Sequence, residues 1–189
     1  SQSYAKELED RLKDRIFDEI FPHFATGFIE HIRQARGRDA TLAQDELDTI
    51  YQATLTFLYR LMFLLYAESR GLLPVREVHG YWEISLERLK TAIAQEGGVT
   101  LDQAPDRLRK AYRADSTALY DHLLGLFRVI DLGERDFNVP RYNGGLFRTD
   151  PDDNDRSPDA ASARFLNAHK IPDRYLALGL DRLARDIDS

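Results

Sequence analysis

Residues 55–74 read LTFLYRLMFLLYAESRGLLP, and the fold follows from how that stretch is placed. Three faces of a helix here are apolar at 3.6-residue spacing: Leu58, Met62 and Leu65; Phe57, Leu61 and Leu64; Tyr59, Phe63 and Tyr66. A helix apolar nearly all round is expected to be buried on most sides, with other elements packed around it. Arg60 interrupts the run and Glu68 and Arg70 close it, so the uninterrupted apolar length falls well short of the ~20 residues that a bilayer requires. Gly71 is a stop and Pro74 prevents the helix from resuming.

Outward from this rod the apolar spacing stays helical. Toward the N-terminus, Leu8, Leu12, Ile16 and Ile20, then Phe24, Phe28 and Ile32, predict two helices or a kinked one, because Pro22 removes a backbone donor. Gly37 ends that pair, and Thr41 with Gln44 reads as the start of the central helix. Toward the C-terminus, Ser85 is the expected cap of a helix that Gly97 and Gly98 terminate, and Pro105 suits the first turn of a helix over 106–113. Ser116 and Asp173 are the expected caps of two further helices, the first ending before Gly133. Between 134 and 158 the chemistry turns to Asn, Pro and Gly, with an acidic solvated loop at 150–155. Strand signals are limited to 137–139 and 145–147. The expectation is all-α: an irregular bundle around one long central helix, with a Gly/Pro-rich loop and little or no strand. Residues 1–37 are expected to form N-terminal helices and 38–189 a helical domain, the whole one compact unit.

Length and composition narrow the function. A chain of 189 residues with 43% hydrophobic and 31% charged residues is globular rather than disordered. Cysteine is absent, which removes disulfides and thiolate metal sites. A net charge of −6 without a strongly basic segment argues against a free-standing nucleic-acid binder. No signal peptide or membrane-spanning segment is visible, and a cytoplasmic location is expected. The opening Ser1, without methionine, suggests a piece of a larger protein.

Catalytic constellations do not emerge. The five histidines form no HExxH or close pair. None of the five lysines follows an acidic residue by two positions, as a PD-(D/E)xK nuclease would need to organise Mg²⁺. There is no GxG, no Walker lysine and no GxSxG serine, so we expect no catalytic, cofactor or metal site in this segment. Two features stand out. Arg107, Arg109, Lys110 and Arg113 form a local basic helix face, either a solvated surface or a phosphate contact. Tyr142, Asn143, Gly144 and Gly145 form either a turn needing positive φ or a loop whose bare backbone approaches a ligand or partner. Arg60, Glu68 and Arg70 are expected to form structural ion pairs.

Residues 58–74 resemble the helical region of the type IIG restriction-modification enzymes, single-chain adenine methyltransferase/endonucleases. Residues 127–133, 139–147 and 171–173 recur there in the same order, so the likeness covers roughly 47–187. In that family this region lies between an N-terminal nuclease and the methyltransferase. The resemblance implies a parent enzyme that uses S-adenosylmethionine to methylate adenine N6 in DNA, with Mg²⁺ as the cofactor of any DNA cleavage by the same chain. It carries no catalytic residue onto this chain. The expected role is a non-catalytic spacer whose partners are the methyltransferase and nuclease domains of the same polypeptide and, through them, DNA. Two readings compete with it: a DNA-binding module working through the Arg107–Arg113 face and the 142–145 loop, and a protein-interaction domain exposing Tyr81 and Trp82.

Overall fold

The computed structural model describes residues 2–142 and 144–188, with backbone only at residues 2 and 188. Its helices are α1 (Gln2–Arg15), α2 (Phe21–Arg36), α3 (Gln44–Ser69), α4 (Leu86–Gly97), α5 (Ala104–Ala111), α6 (Ala118–Leu132), α7 (Pro158–Ala168) and α8 (Asp173–Asp188). The all-α expectation holds: the described residues contain no strand, only an isolated antiparallel bridge between Glu134 and Val139. The suspected strands at 137–139 and 145–147 are instead this bridge and two short 3₁₀ turns, Arg135–Phe137 and Gly145–Phe147. No helix among the described residues is long and apolar enough to cross a membrane.

Pro22 explains the junction of the first two helices. In an unbroken α-helix its missing amide would orphan the Asp18 carbonyl and its ring would press on the same turn. The chain relieves this with a π-helical turn over Ile16–Ile20, in which the Phe21 amide donates to the Ile16 carbonyl. The extra residue lets α2 start with proline in its first turn, where a missing donor costs nothing.

Helix α3 has 26 residues, so it runs about 39 Å through the bundle. It begins at Gln44 rather than at Thr41, because Glu46 reaches back to the Ala43 amide, 3.5 Å away, and that bond can form only if the helix starts there. Its other end closes as expected at Gly71, whose φ of +69° lets the Leu72 amide bond the Ala67 carbonyl and the Gly71 amide bond the Glu68 carbonyl. Phe57 is the hub of the core. Its ring meets Phe24 at 5.1 Å, Tyr120 at 5.7 Å, Phe127 at 5.9 Å and Phe28 at 6.2 Å between centroids, so α2, α3 and α6 share one aromatic cluster.

Not all of α3 is enclosed. The Phe57 face is buried, as are Leu58 and Leu65, but Met62 is half-buried, Tyr59 is 48% and Tyr66 55% exposed. The spacing shows which faces are apolar; it does not show which of them another helix covers. Elsewhere the core is continuous from Ile16 to Leu183, so the N-terminal helices belong to the same unit as the rest. Helices α2 and α8 cross closely because each places a glycine at the contact: a Cβ on Gly27 would lie 2.9 Å from Tyr175 Cβ, and one on Gly179 would lie 2.4 Å from the Phe24 ring.

Candidate functional site

Charged side chains enter the interior beside α3, but not as the expected ion pairs. Arg60, 2% exposed, donates from Nε to the Leu146 carbonyl at 2.7 Å and from Nη2 to the Arg148 carbonyl at 3.0 Å. Its guanidinium also lies over the rings of Phe127 and Phe147. Burial brings its pKa down to about 10, opposed by Tyr120 and Asp131, and it remains a cation at neutral pH. Glu68, 4% exposed, accepts from the Tyr81 hydroxyl at 2.6 Å, the Leu86 amide at 2.9 Å and the Glu87 amide at 2.6 Å. Burial pushes its pKa up while these donors pull it down. Three donors and no acceptor face it, which is a site built for a carboxylate. Arg70 lies exposed over the Tyr66 ring. Thus none of Arg60, Glu68 and Arg70 forms an ion pair among the described residues: backbone groups and rings take the place of opposite charges.

Glu68 caps a helix from outside it. The α4 N-terminus uses the Ser85 hydroxyl as expected, accepting from the Arg88 amide at 3.1 Å, and adds the Glu68 carboxylate against its next free amides. At the other end of α4, Arg107 donates to the Glu96 carbonyl at 3.0 Å and Arg185 to the Gly98 carbonyl at 2.6 Å. Both ends of its dipole therefore meet charges of the stabilising sign. Asp173 repeats the device. Although it opens α8, its Oδ1 accepts from the Leu119 amide of α6 at 3.0 Å, so it caps a neighbour rather than its own helix. It supplements the expected Ser116, whose hydroxyl accepts a longer bond of 3.4 Å from the Ala118 amide.

The basic face is smaller than its sequence suggests. Helix α5 ends at Ala111, so Arg113 lies beyond it, held by Asp115 through two bonds of 2.7 Å. Arg109 pairs with Asp106 at 3.5 Å, and Arg107 is spent on α4. Lys110 stands exposed. Three of the four charges are thus engaged locally.

In the 142–145 loop, Asn143 lies outside the described residues. Gly144 has φ −94°, so no positive φ is required there; its lack of a side chain matters because a Cβ would sit 2.4 Å from the Tyr142 ring. Gly145 opens the 3₁₀ turn. Among the described non-glycine residues a positive φ is found at Asn138, at +56°. Tyr142 packs on Phe63 at 5.0 Å and Phe147 at 5.8 Å, while its amide bonds the Ile130 carbonyl at 3.1 Å. Tyr142 is thereby fixed against α3 and α6. Of the pair considered as an interaction site, Tyr81 is fully buried against Glu68, and Trp82 lines a cleft of about 700 Å³ with Glu68, Leu73 and Lys90. Of the two rings, only that of Trp82, half-buried, remains accessible.

Among the described residues no group of three or more His, Cys, Asp or Glu side chains is placed to hold a metal ion. The Ser157 cap of α7, which holds the Ala160 amide at 3.2 Å, escaped the sequence reading although Ser-Pro-Asp-Ala carries its signal. Comparison with known proteins adds no relative: no family model, no curated protein and no solved structure matches the chain.

Proposed function

We propose that this chain is the helical spacer of an adenine-N6 DNA methyltransferase of the type IIG restriction-modification kind, holding catalytic domains in fixed relation without reacting itself. S-adenosylmethionine, and Mg²⁺ if the parent cuts DNA, belong to those neighbours. The observation that carries the reading is the meeting of the resembling stretches in space. Arg60, in the first, binds the carbonyls of Leu146, in the third, and of Arg148, just beyond it. Its guanidinium lies on Phe127, which opens the second, and Asp173 of the last caps the helix to which the second belongs. Separated motifs that build one packed unit are what a spacer with a fixed shape requires.

The test has two parts. The encoding gene is expected to continue, within about 200 residues of this segment, into a glycine-rich cofactor loop followed by Asn-Pro-Pro-Tyr. Calorimetry on the isolated chain is expected to show no S-adenosylmethionine binding, and the full-length product to methylate adenine. Specific cofactor binding by the isolated chain overturns the proposal.

A further inference from the structure

The exposed tyrosine face of α3 follows a different rule from the rest of the surface. Between Gln52 and Ser69, the helix positions that reach solvent are Leu55, Thr56, Tyr59, Met62, Phe63 and Tyr66, and none is charged, in a chain where 31% of residues are. The two charged residues in that interval, Arg60 and Glu68, are turned inward. The loop before Asn143 extends this face, with Tyr142 seated on Phe63 at 5.0 Å. Leu132, 51% exposed, lies at the end of α6, where a Cβ on Gly133 would lie 2.7 Å from the Arg141 amide nitrogen. A contiguous apolar surface of this kind on a folded chain marks an interaction site. Tyr59, Tyr66 and Tyr142 with Phe63 dominate it and Arg70 lies on one of the rings, and aromatic and arginine side chains are what the centre of a protein–protein interface is enriched in.

We infer that the face formed by Tyr59, Phe63, Tyr66 and Tyr142 is where a neighbouring folded domain docks, through an apolar surface bearing carboxylates. Two arginines specify the charge. Arg70 lies on the Tyr66 ring and Arg141 is exposed beside Tyr142, and neither is paired with a carboxylate among the described residues. Aliphatic Leu132 and Met62 suit a protein surface better than a nucleic-acid strand, which stacks on rings and follows a basic groove. The inference rests on the spacer reading and gives it a contact surface.

Tyrosine nitration by tetranitromethane, mapped by peptide mass, tests it on the chain alone and on the full-length gene product. Tyr59, Tyr66 and Tyr142 are expected to react in the chain alone and about ten-fold less in the full-length product. Buried Tyr81 and Tyr120 stay unreactive in both. Tyr66→Asp is expected to leave the unfolding midpoint of the isolated chain unchanged and to restore nitration of Tyr59 and Tyr142 in the full-length product. Unchanged reactivity of the three tyrosines in a full-length product that methylates adenine overturns the docking face and leaves the spacer reading standing. Protection in a product that transfers no methyl group supports the docking face and overturns the spacer reading's chemistry. Protection of the isolated chain by an oligothymidylate of about 20 nucleotides overturns the protein partner in favour of nucleic acid.

Discussion

Arg60 and Arg113 both point two guanidinium nitrogens at oxygen, and they have opposite weight in the fold. Arg113 holds a carboxylate in the geometry that makes surface pairs look strong, yet it is fully in water. Arg60 holds two neutral carbonyls, from residues far away in sequence, inside a wall of aromatic rings. Solvent screens the first and side-chain entropy offsets it. The second cannot be exchanged for water without opening the packing between α3 and the 145–149 segment. Formal charge on the partner is a poor guide to what an ionic group does here; access to water is the better one.

The largest expected effect follows from deleting the buried member. Arg60→Ala strands two carbonyls and leaves a void beside Phe127, and is expected to cost about 3–5 kcal/mol in urea unfolding. Limited proteolysis should then cut within 145–156 first. A midpoint equal to that of the parent chain would erase the contrast between the two arginines.

Glu68→Gln comes next. The carboxamide keeps the shape of the carboxylate but turns an NH₂ toward donors, and about 1–3 kcal/mol is expected to be lost. Hydrogen exchange at the amides of Leu86 and Glu87 should rise with it. Unaltered exchange there would show that Ser85 alone holds the α4 start.

Acidity tests the same principle on histidine. Burial lowers the pKa of His23, His31 and His169, helped by Arg109 at the first, Lys170 at the second and Arg36 at the third. His31 also has a buried Nδ1 without a partner. A base whose pKa is lower folded than unfolded is protonated first in the unfolded chain, so its contribution is complete above about pH 6.5 and fades as the pH falls. The thermal midpoint is expected to drop between pH 7 and pH 5.5, and less in His31→Gln. Glu68 and Asp181, whose pKa values are raised, act with the opposite sign at lower pH. A midpoint that rises throughout that interval would mean the carboxylates dominate.

Smallest of all is Arg113→Ala, which is expected to leave the unfolding midpoint in place despite two short bonds lost. A clear fall would give the exposed pair a weight that its surroundings do not explain.

Local chemistry was legible in the sequence where its partners are local. Gly37, Gly71, Ser85 and Gly133 end or begin helices where their residue types require, and Phe57, Leu61 and Leu64 lie inside as their spacing implies. What stayed illegible depends on distant partners. Asp173 reads as the cap of the helix it opens, but its side chain serves a helix more than fifty residues earlier. Glu68 and Arg60 were recognisable as charges needing compensation, and side chains of opposite sign were the natural guess. No local pattern reveals that backbone amides and carbonyls would do the compensating. The tyrosine face shows the same limit: periodicity identifies a greasy side without saying whether the chain has anything to lay against it.

The turn at Ile16–Ile20 carries a consequence for reach. Each residue of an α-helix advances the chain by about 100° of rotation. Deleting one residue from that turn would therefore swing the outward surface of α1 by more than a quarter circle while the core beyond Phe24 stayed as it is. A single inserted position thus fixes the compass bearing on which α1 leaves the bundle, and whatever it carries is aimed by that one unit of length.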